Sequence, residues 1–149
     1  MEVNKQHHEL CSLIRREILY PWRRLTIGVD GRDGVGKSVL SRYLAWDLDL
    51  PTIETDMFII SDDQPPSYRY EDLGRLIESR HTLDRPVIVE GVFLLHMLAK
   101  LNVKCDFLIY VENEEQISSN YLEERLKEYD NDYDPKGAAN YILEWCVDR

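Results

Sequence analysis

The chain has 149 residues, of which 44% are hydrophobic and 31% charged, a composition that fits one globular domain and leaves little room for a second. Acidic residues outnumber basic ones 28 to 18, and the formal net charge of −10 argues against electrostatic binding to nucleic acid or to an anionic membrane. No run of the sequence reaches the roughly 18 apolar residues of a membrane span, and its start lacks the apolar segment of a signal peptide.

The use of cysteine favours a reducing compartment. The cysteines are odd in number, have no C-x-x-C spacing and lie beside apolar segments, at Cys11, Cys105 and Cys146. We therefore expect free, largely buried thiols and a cytoplasmic protein.

The hydrophobic pattern predicts strands that alternate with helices along the chain. We expect helices over 8–20, 37–48, 71–80, 92–101 and 113–129, and strands over 25–30, 51–55, 85–90, 105–111 and 140–146. Residues 59–70 are polar, contain Pro65 and Pro66, and are expected to form a long excursion from the core. Each predicted strand is apolar throughout, which is typical of a parallel sheet covered on both faces. The predicted fold is α/β, with three layers and a parallel sheet of about five strands.

Residues 31–38 match the phosphate-binding pattern G-x-x-x-x-G-K-[ST] without a mismatch. They lie between a predicted strand and a predicted helix, the context that this motif requires, so we expect a P-loop NTPase fold. Glycines let backbone amides close around a phosphate, and the next helix presents its N-terminal amides to the same anion. Lys37 is expected to reach the β- and γ-phosphates, and the Ser38 hydroxyl to bind Mg²⁺. The predicted nucleotide contacts are Gly31, Asp33, Gly34, Val35, Gly36, Lys37, Ser38 and Val39.

Two acidic residues, Asp56 and Glu90, come at the ends of predicted strands. In a parallel sheet, ligands gather at the carboxyl ends of the strands, so both side chains are predicted to reach the site. A carboxylate there can bind Mg²⁺, directly or through water, or accept the proton of a substrate hydroxyl. The alternative for Glu90 is a surface acid at a strand end. For Asp56, three nearby acids compete for the same role: Glu54, Asp62 and Asp63.

Three segments together resemble the uridine-kinase and phosphoribulokinase group of P-loop kinases, with a likeness that extends over about residues 25–146. These segments are Ile27–Ser38, Thr55–Phe58 and Val87–Leu95. The resemblance implies that Asp56, in Asp-x-Phe, is the catalytic base, and that Glu90, in Glu-Gly, is an acid that organises Mg²⁺. It also implies ATP as the phosphoryl donor. Asn140 stands where the group usually has an aspartate.

We expect one P-loop domain over residues 1–149, in which 1–24 form an N-terminal helix. Compared with the group that the chain resembles, residues 112–134 stand in place of an arginine-rich lid. Here that region is acidic, with Arg125 and Lys127 as its bases. We expect Arg125 to stabilise the transferred charge and to complete a catalytic set with Lys37 and Asp56. The acidic stretch itself is expected to be a solvated helix face, with a docking surface for a basic partner as the alternative.

The acceptor pocket is expected near Tyr68, Arg69 and Tyr70, because the related kinases build it between the base and the next helix. Their alternative role is to pack the two rings on the core. The loop is also similar to that of thymidylate kinases, in which an acid faces the acceptor nucleotide. Asp33 is therefore predicted to face the acceptor, with a solvent-facing turn as its alternative.

These features favour an enzyme that transfers the γ-phosphoryl of Mg·ATP to a hydroxyl of a small molecule, with a nucleoside as the favoured acceptor. Two other functions remain open: a nucleotide-binding module with little or no transfer, and a simple NTPase. The expected partners are a nucleoside triphosphate and the small-molecule acceptor, without nucleic acid or membrane. A homo-oligomer is also compatible with the sequence.

Overall fold

The computed structural model describes residues 2–61, 67–114 and 122–145. Within these ranges the elements follow one another as α1 (Lys5–Leu13), β1 (Thr26–Gly31), α2 (Lys37–Leu48), β2 (Thr52–Glu54), β3 (Ile59–Ser61), β4 (Ser67–Tyr68), α3 (Tyr70–His81), β5 (Val87–Glu90), α4 (Leu94–Lys100), β6 (Phe107–Glu112), α5 (Glu123–Tyr133), α6 (Pro135–Ala138) and β7 (Tyr141–Glu144). A π-helical turn, Ile14–Ile18, continues α1, and a 3₁₀ turn, Thr55–Phe58, follows β2.

The main sheet has five parallel strands in the order β2-β5-β1-β6-β7, which confirms the predicted fold. β1 lies at its centre, where Ile27 is opposite Ile88 of β5 on one side and Phe107 of β6 on the other. All residues of β1 and β5 are buried. The apolar runs of the sequence therefore correspond to strands with a helix layer on each face.

Helices cover both faces of the sheet because side chains alternate along each strand. Ile27 and Val29 of β1 pack on one face against residues of α1 and α2 such as Leu10, Leu40 and Leu44. On the opposite face, strand and helix side chains form a second cluster of Leu73, Ile77, Val87, Val89, Leu94, Leu98 and Leu108. Both faces of β1, the strand that leads into the loop, are therefore anchored.

The expected excursion over 59–70 contains secondary structure. β3 and β4 pair in antiparallel fashion, with Ile59 opposite Tyr68, and the Arg69 amide donates to the Phe58 carbonyl at 2.7 Å. The polar composition of this segment hid the pairing from the sequence. Pro65 and Pro66 lie outside the described residues.

The acidic helix differs from its prediction. α5 begins at Glu123, not near 113, and continues to Tyr133. Its Leu126 and Tyr129 side chains are buried, so the helix packs on the domain with one side. The predicted portion over 115–121 lies outside the described residues. None of the described helices has both the length and the apolar character that crossing a membrane demands.

The N-terminal helix begins at Lys5 because Asn4 and His7 form a capping box. The Asn4 side chain accepts the Gln6 amide at 2.9 Å, and the Asn4 amide donates to Nδ1 of His7 at 3.2 Å. The His7 ring is fully buried and contacts Trp145 edge-on, with ring centroids 4.4 Å apart. Burial, together with the nearby His8, lowers the pKa of His7 to about 4.

This burial predicts acid sensitivity. Neutral His7 stabilises the fold above pH ~6.5, the pKa of unfolded histidine, and that stability is lost as the pH falls toward 4. His7→Gln keeps an N3 acceptor for the capping box but does not titrate. We expect its melting temperature, measured by circular dichroism from pH 8 to 4, to fall less than that of the wild type. His96→Gln, which replaces an exposed histidine of α4, is the control, and the same flattening in both variants would contradict this role of His7.

Candidate active site

The phosphate-binding loop joins β1 to α2 as the sequence predicted. Gly34 and Gly36 have φ of 74° and 105°, a backbone region that favours glycine. Gly36 is also the N-cap of α2, a helix of 12 residues. The loop therefore ends where the first amides of a long helix are free to bind an anion.

A cavity of about 510 Å³, which we call the loop cavity, opens over this loop. It brings together most of the predicted nucleotide and metal residues: Asp33, Gly34, Gly36, Lys37, Ser38, Val39, Asp56 and Glu90. Gly31 and Val35 are not among its lining residues. Val35 is buried in the hydrophobic cluster under the loop, so its side chain supports the loop from below.

Lys37 is buried at the start of α2, with 5% of its surface exposed. Its Nζ donates to the carbonyl oxygen of Arg32 at 2.5 Å. Burial lowers its pKa, and nearby carboxylates, first that of Glu90 and then that of Asp30, act in the opposite direction. The ammonium group is thus held within the loop, where phosphate oxygens can share its charge.

Glu90 ends β5 and lies against Ser38, whose Oγ donates to the Glu90 carboxylate at 3.5 Å. Burial raises the pKa of Glu90 to about 7, and the charge of Asp56 adds to this effect. The next residue, Gly91, has no room for a side chain, because a Cβ there would lie 1.9 Å from Oγ1 of Thr55. This close approach brings the end of β5 beside the turn that carries Asp56.

The donor set at this point fits Mg²⁺. Ser38, Asp56 and Glu90 offer a hydroxyl and two carboxylates in one cavity, and these hard oxygen ligands suit the ion. In the described part of the chain, no three His, Cys, Asp or Glu side chains are grouped closely enough to hold a metal alone. Such a site is typical of Mg²⁺ that enters with phosphate, since the ion then takes its remaining ligands from the nucleotide and water.

The structure separates Asp56 from one of its competitors. Asp56 is exposed in the 3₁₀ turn and lines the loop cavity. Glu54 does not line the cavity, and its carboxylate accepts two bonds from the guanidinium of Arg42 at 2.6 and 3.3 Å. Asp62 and Asp63 lie outside the described residues.

A second cavity of about 350 Å³ adjoins the first. We call it the aromatic cavity, because its lining includes Tyr68, Tyr70, Phe93, His96, Tyr129 and Tyr133. Tyr68 and Phe93 line both cavities. Phe93 has left-handed backbone angles, φ 57° and ψ 31°, which bulky residues rarely adopt and which are found preferentially at functional sites.

Two predicted residues lie apart from the loop cavity. Arg69 lines neither cavity, and its guanidinium forms an ion pair with Asp72 at 2.8 Å. It is the N-cap residue of α3, between β4 and the helix, and its partner Asp72 lies in the first turn of that helix. Arg125 lines the aromatic cavity and not the loop cavity, which places it on the side of the expected acceptor.

Sequence reasoning missed Tyr129. This buried side chain of α5 donates a hydrogen bond to Asp30, accepts the Leu95 amide at 3.0 Å and packs edge-on against Phe93. Leu126, Tyr129 and Tyr133 are spaced i, i+3, i+7, a helical pattern that the surrounding acids obscured. This spacing could have predicted that Tyr129 lies on the buried side of the helix.

No protein-family model and no curated protein sequence matches the chain. Solved structures do resemble it. A possible uridine kinase from Bacillus stearothermophilus aligns over 96% of this chain and 100% of its own, with a TM-score of 0.70 and 17% sequence identity. A gluconokinase from Sinorhizobium meliloti aligns over 83% of this chain and 84% of its own, with a TM-score of 0.55 and 18% identity.

The fold is therefore that of the P-loop kinases, as the sequence motifs predicted. Both of these structures belong to proteins described as kinases of small molecules. At these identities the likeness concerns the fold, and the chemistry of this chain has to be argued from its own site.

Proposed function

We propose that this protein transfers the γ-phosphoryl group of Mg·ATP to a hydroxyl of a small molecule, with a nucleoside as the favoured acceptor. The observation that carries the proposal is the pair of adjoining cavities. One combines the phosphate-binding loop with two carboxylates at strand ends, and the other is lined by aromatic rings. They meet at Tyr68 and Phe93, so a donor and an acceptor would lie end to end.

The loop cavity would hold the triphosphate. Backbone amides of the loop and of the first turn of α2 would bind phosphate oxygens, and the Lys37 ammonium would leave the Arg32 carbonyl to join them. Ser38 and Glu90 would hold Mg²⁺ directly, with Asp56 acting on the ion only through a water molecule. The bound ion would neutralise charge that develops between the β- and γ-phosphates. Glu90 would have to lose its proton for this role, because its pKa is near the physiological pH.

Asp56 is the proposed general base. It lines the loop cavity together with Tyr68, which also lines the aromatic cavity, and its exposure leaves the carboxylate free to meet an acceptor hydroxyl. The carboxylate would accept the hydroxyl proton while the acceptor oxygen forms a bond to the γ-phosphorus and the bond to the β-phosphate oxygen breaks. The products would be ADP and the phosphorylated acceptor.

The aromatic cavity would bind the acceptor. Planar rings such as Tyr70, Phe93 and Tyr133 can stack on a nucleobase, and stacking of this kind contributes about 1–3 kcal/mol per base. The same cavity also offers charged side chains for polar groups: Lys100, Arg125, Glu128 and Asp132. A nucleoside combines an aromatic base with the sugar hydroxyl that the reaction needs.

One observation favours a second function, a nucleotide-binding module with little or no transfer. Among the described residues that line the loop cavity, Lys37 is the sole cation. Related phosphoryl transfer gains about 10³–10⁵ in rate from an arginine beside the γ-phosphate. A chain that lacks such an arginine would bind ATP but transfer phosphate slowly.

The discriminating experiment is an ATP-consumption screen. ADP release is measured against panels of nucleosides, sugars and sugar acids, with Mg²⁺ present and omitted. Acceptor-dependent release with a nucleoside supports the proposal. Release without any acceptor indicates an NTPase, and tight Mg·ATP binding without release indicates a binding module.

Arg125 and Arg69 provide a matched test of the acceptor cavity. Arg125→Ala removes a cation from that cavity and is expected to raise the KM for the acceptor roughly tenfold, the effect of losing one hydrogen bond to a charged group. The affinity for Mg·ATP should not change. Arg69→Ala removes an exposed arginine outside both cavities and should leave both parameters unchanged. Equal effects of the two substitutions would contradict the assignment of the aromatic cavity.

A further inference from the structure

Helix α5 makes two direct contacts with the segment that forms the phosphate-binding loop. Tyr129 donates a hydrogen bond from its hydroxyl to the carboxylate of Asp30, the residue that precedes the loop. The next residue of α5, Asp130, forms an ion pair at 3.0 Å with Arg32, which lies two positions after Asp30. We call these two contacts the clasp.

The clasp connects the two cavities through one side chain. The ring of Tyr129 lines the aromatic cavity and packs against Phe93 and Tyr133, with ring centroids 5.5 and 5.3 Å apart. Its hydroxyl reaches Asp30, whose other carboxylate oxygen accepts the Gly31 amide at 2.8 Å. Two successive hydrogen bonds thus join the wall of the proposed acceptor cavity to the first residue of the loop.

Asp30 needs this contact because it is almost completely buried, with 1% of its surface exposed. Burial raises its pKa to about 6, and the hydrogen bonds from Tyr129 and Gly31 act against that rise. A buried carboxylate that loses a donor is strongly destabilised unless it takes up a proton or moves. Either response would disturb the Gly31 amide and the start of the loop.

The Tyr129 hydroxyl also forms a hydrogen bond with α4. It accepts the Leu95 amide at 3.0 Å, at the start of α4 and two residues after Phe93. This side chain of α5 is therefore hydrogen-bonded to both β1 and α4, and a shift of α5 would alter contacts beside both cavities.

We propose that Tyr129 is a positioning residue that couples the two cavities, so that occupation of the aromatic cavity strengthens binding of Mg·ATP at the loop. The inference rests on the proposed function, since it takes the aromatic cavity as the acceptor site. An acceptor that packs against the Tyr129 ring holds α5 in place and, through the clasp, holds the loop in its binding conformation. The coupling is reciprocal, so Mg·ATP strengthens acceptor binding by the same factor.

Two tyrosines of α5 provide the test. Tyr129→Phe removes the clasp hydroxyl and keeps the ring, whereas Tyr133→Phe removes a hydroxyl from the same cavity that contacts His96 and not the loop. Binding of a non-hydrolysable ATP analogue with Mg²⁺ is measured by calorimetry, together with the melting temperature. We expect Tyr129→Phe to raise the Kd roughly tenfold and Tyr133→Phe to change it less than about twofold.

A merely structural tyrosine would lower the melting temperature without moving the Kd, so the Kd is the decisive measurement. If Tyr129→Phe does not fold, Asp130→Asn removes the ion pair with Arg32, the other contact of the clasp. Glu124→Gln, which neutralises an exposed acid of the same helix, is its control. We expect a two- to threefold rise in Kd for Asp130→Asn, because a partly exposed ion pair contributes little.

Failure of the coupling and failure of the proposed function give different results. If the folded Tyr129→Phe variant binds the analogue as tightly as the wild type does, the coupling is overturned and the proposed function stays intact. A wild type that does not bind the analogue overturns both. In Tyr129→Phe, any nucleoside found active in the acceptor screen should also lose its effect on the Kd of the analogue, and an undiminished effect would contradict the coupling.

Discussion

Replacement of Lys37 by methionine is expected to weaken binding of Mg·ATP roughly 10- to 100-fold and to reduce phosphoryl transfer below detection. The ammonium group is the sole cation among the described residues of the loop cavity, and hydrogen bonds to charged groups contribute about 1.5–3 kcal/mol each. Methionine retains much of the buried stem and removes the charge. Calorimetry with a non-hydrolysable ATP analogue measures the affinity, and ADP release measures the transfer.

The fold is expected to survive this change. Lys37 lies among carboxylates, and Glu90 and Asp30 already have raised pKa values. Both can take up a proton when the nearby cation is lost. Lys127→Met is the control, since this exposed lysine of α5 lines neither cavity. An unchanged affinity in a folded Lys37→Met variant would exclude Lys37 from the site.

Asp56→Asn is expected to lower kcat roughly 10²-fold or more while the affinity for Mg·ATP stays close to that of the wild type. The amide keeps the size of the side chain but cannot accept the hydroxyl proton, and general-base catalysis contributes factors of about 10²–10⁴. Steady-state kinetics with the acceptor found in the screen measures kcat, and calorimetry measures the affinity.

Two neighbouring acids serve as comparisons for Asp56. Glu90→Gln should mainly raise the Mg²⁺ concentration needed for activity, because Glu90 lies against Ser38 at the proposed metal position. Glu54→Gln should have little effect, since Glu54 pairs with Arg42 and does not line the loop cavity. If Asp56→Asn and Glu90→Gln lower activity equally with no change in Mg²⁺ dependence, the division of roles between base and metal ligand is wrong.

The loop and the sheet could be predicted from the sequence because both are encoded in short, continuous segments. The pattern from Gly31 to Ser38 needs only its own glycines and the strand and helix that flank it. The five core strands are short apolar runs, and burial on both faces leaves such runs no polar positions. Their parallel orientation follows from the helices between them, since each helix crosses over from the end of one strand to the start of the next.

The approach of Asp56 to Glu90 could be predicted in outline only. Both follow strands, and β2 and β5 prove to be neighbours in the sheet. In the structure Asp56 lines the loop cavity, whereas Glu54 does not and instead pairs with Arg42, a contact between α2 and β2. No local pattern specifies that pairing.

The sequence by itself determined a P-loop α/β fold and the residues of the loop, because each of these depends on local spacing and on the period of the apolar residues. Only the tertiary structure decided that the acidic region of the chain contacts the segment that forms the loop. Tyr129 and Asp30 are 99 residues apart in sequence, and their contact exists because α5 packs beside the carboxyl end of β1. Such a contact depends on how whole elements are placed, and residue spacing within one segment carries no information about that placement.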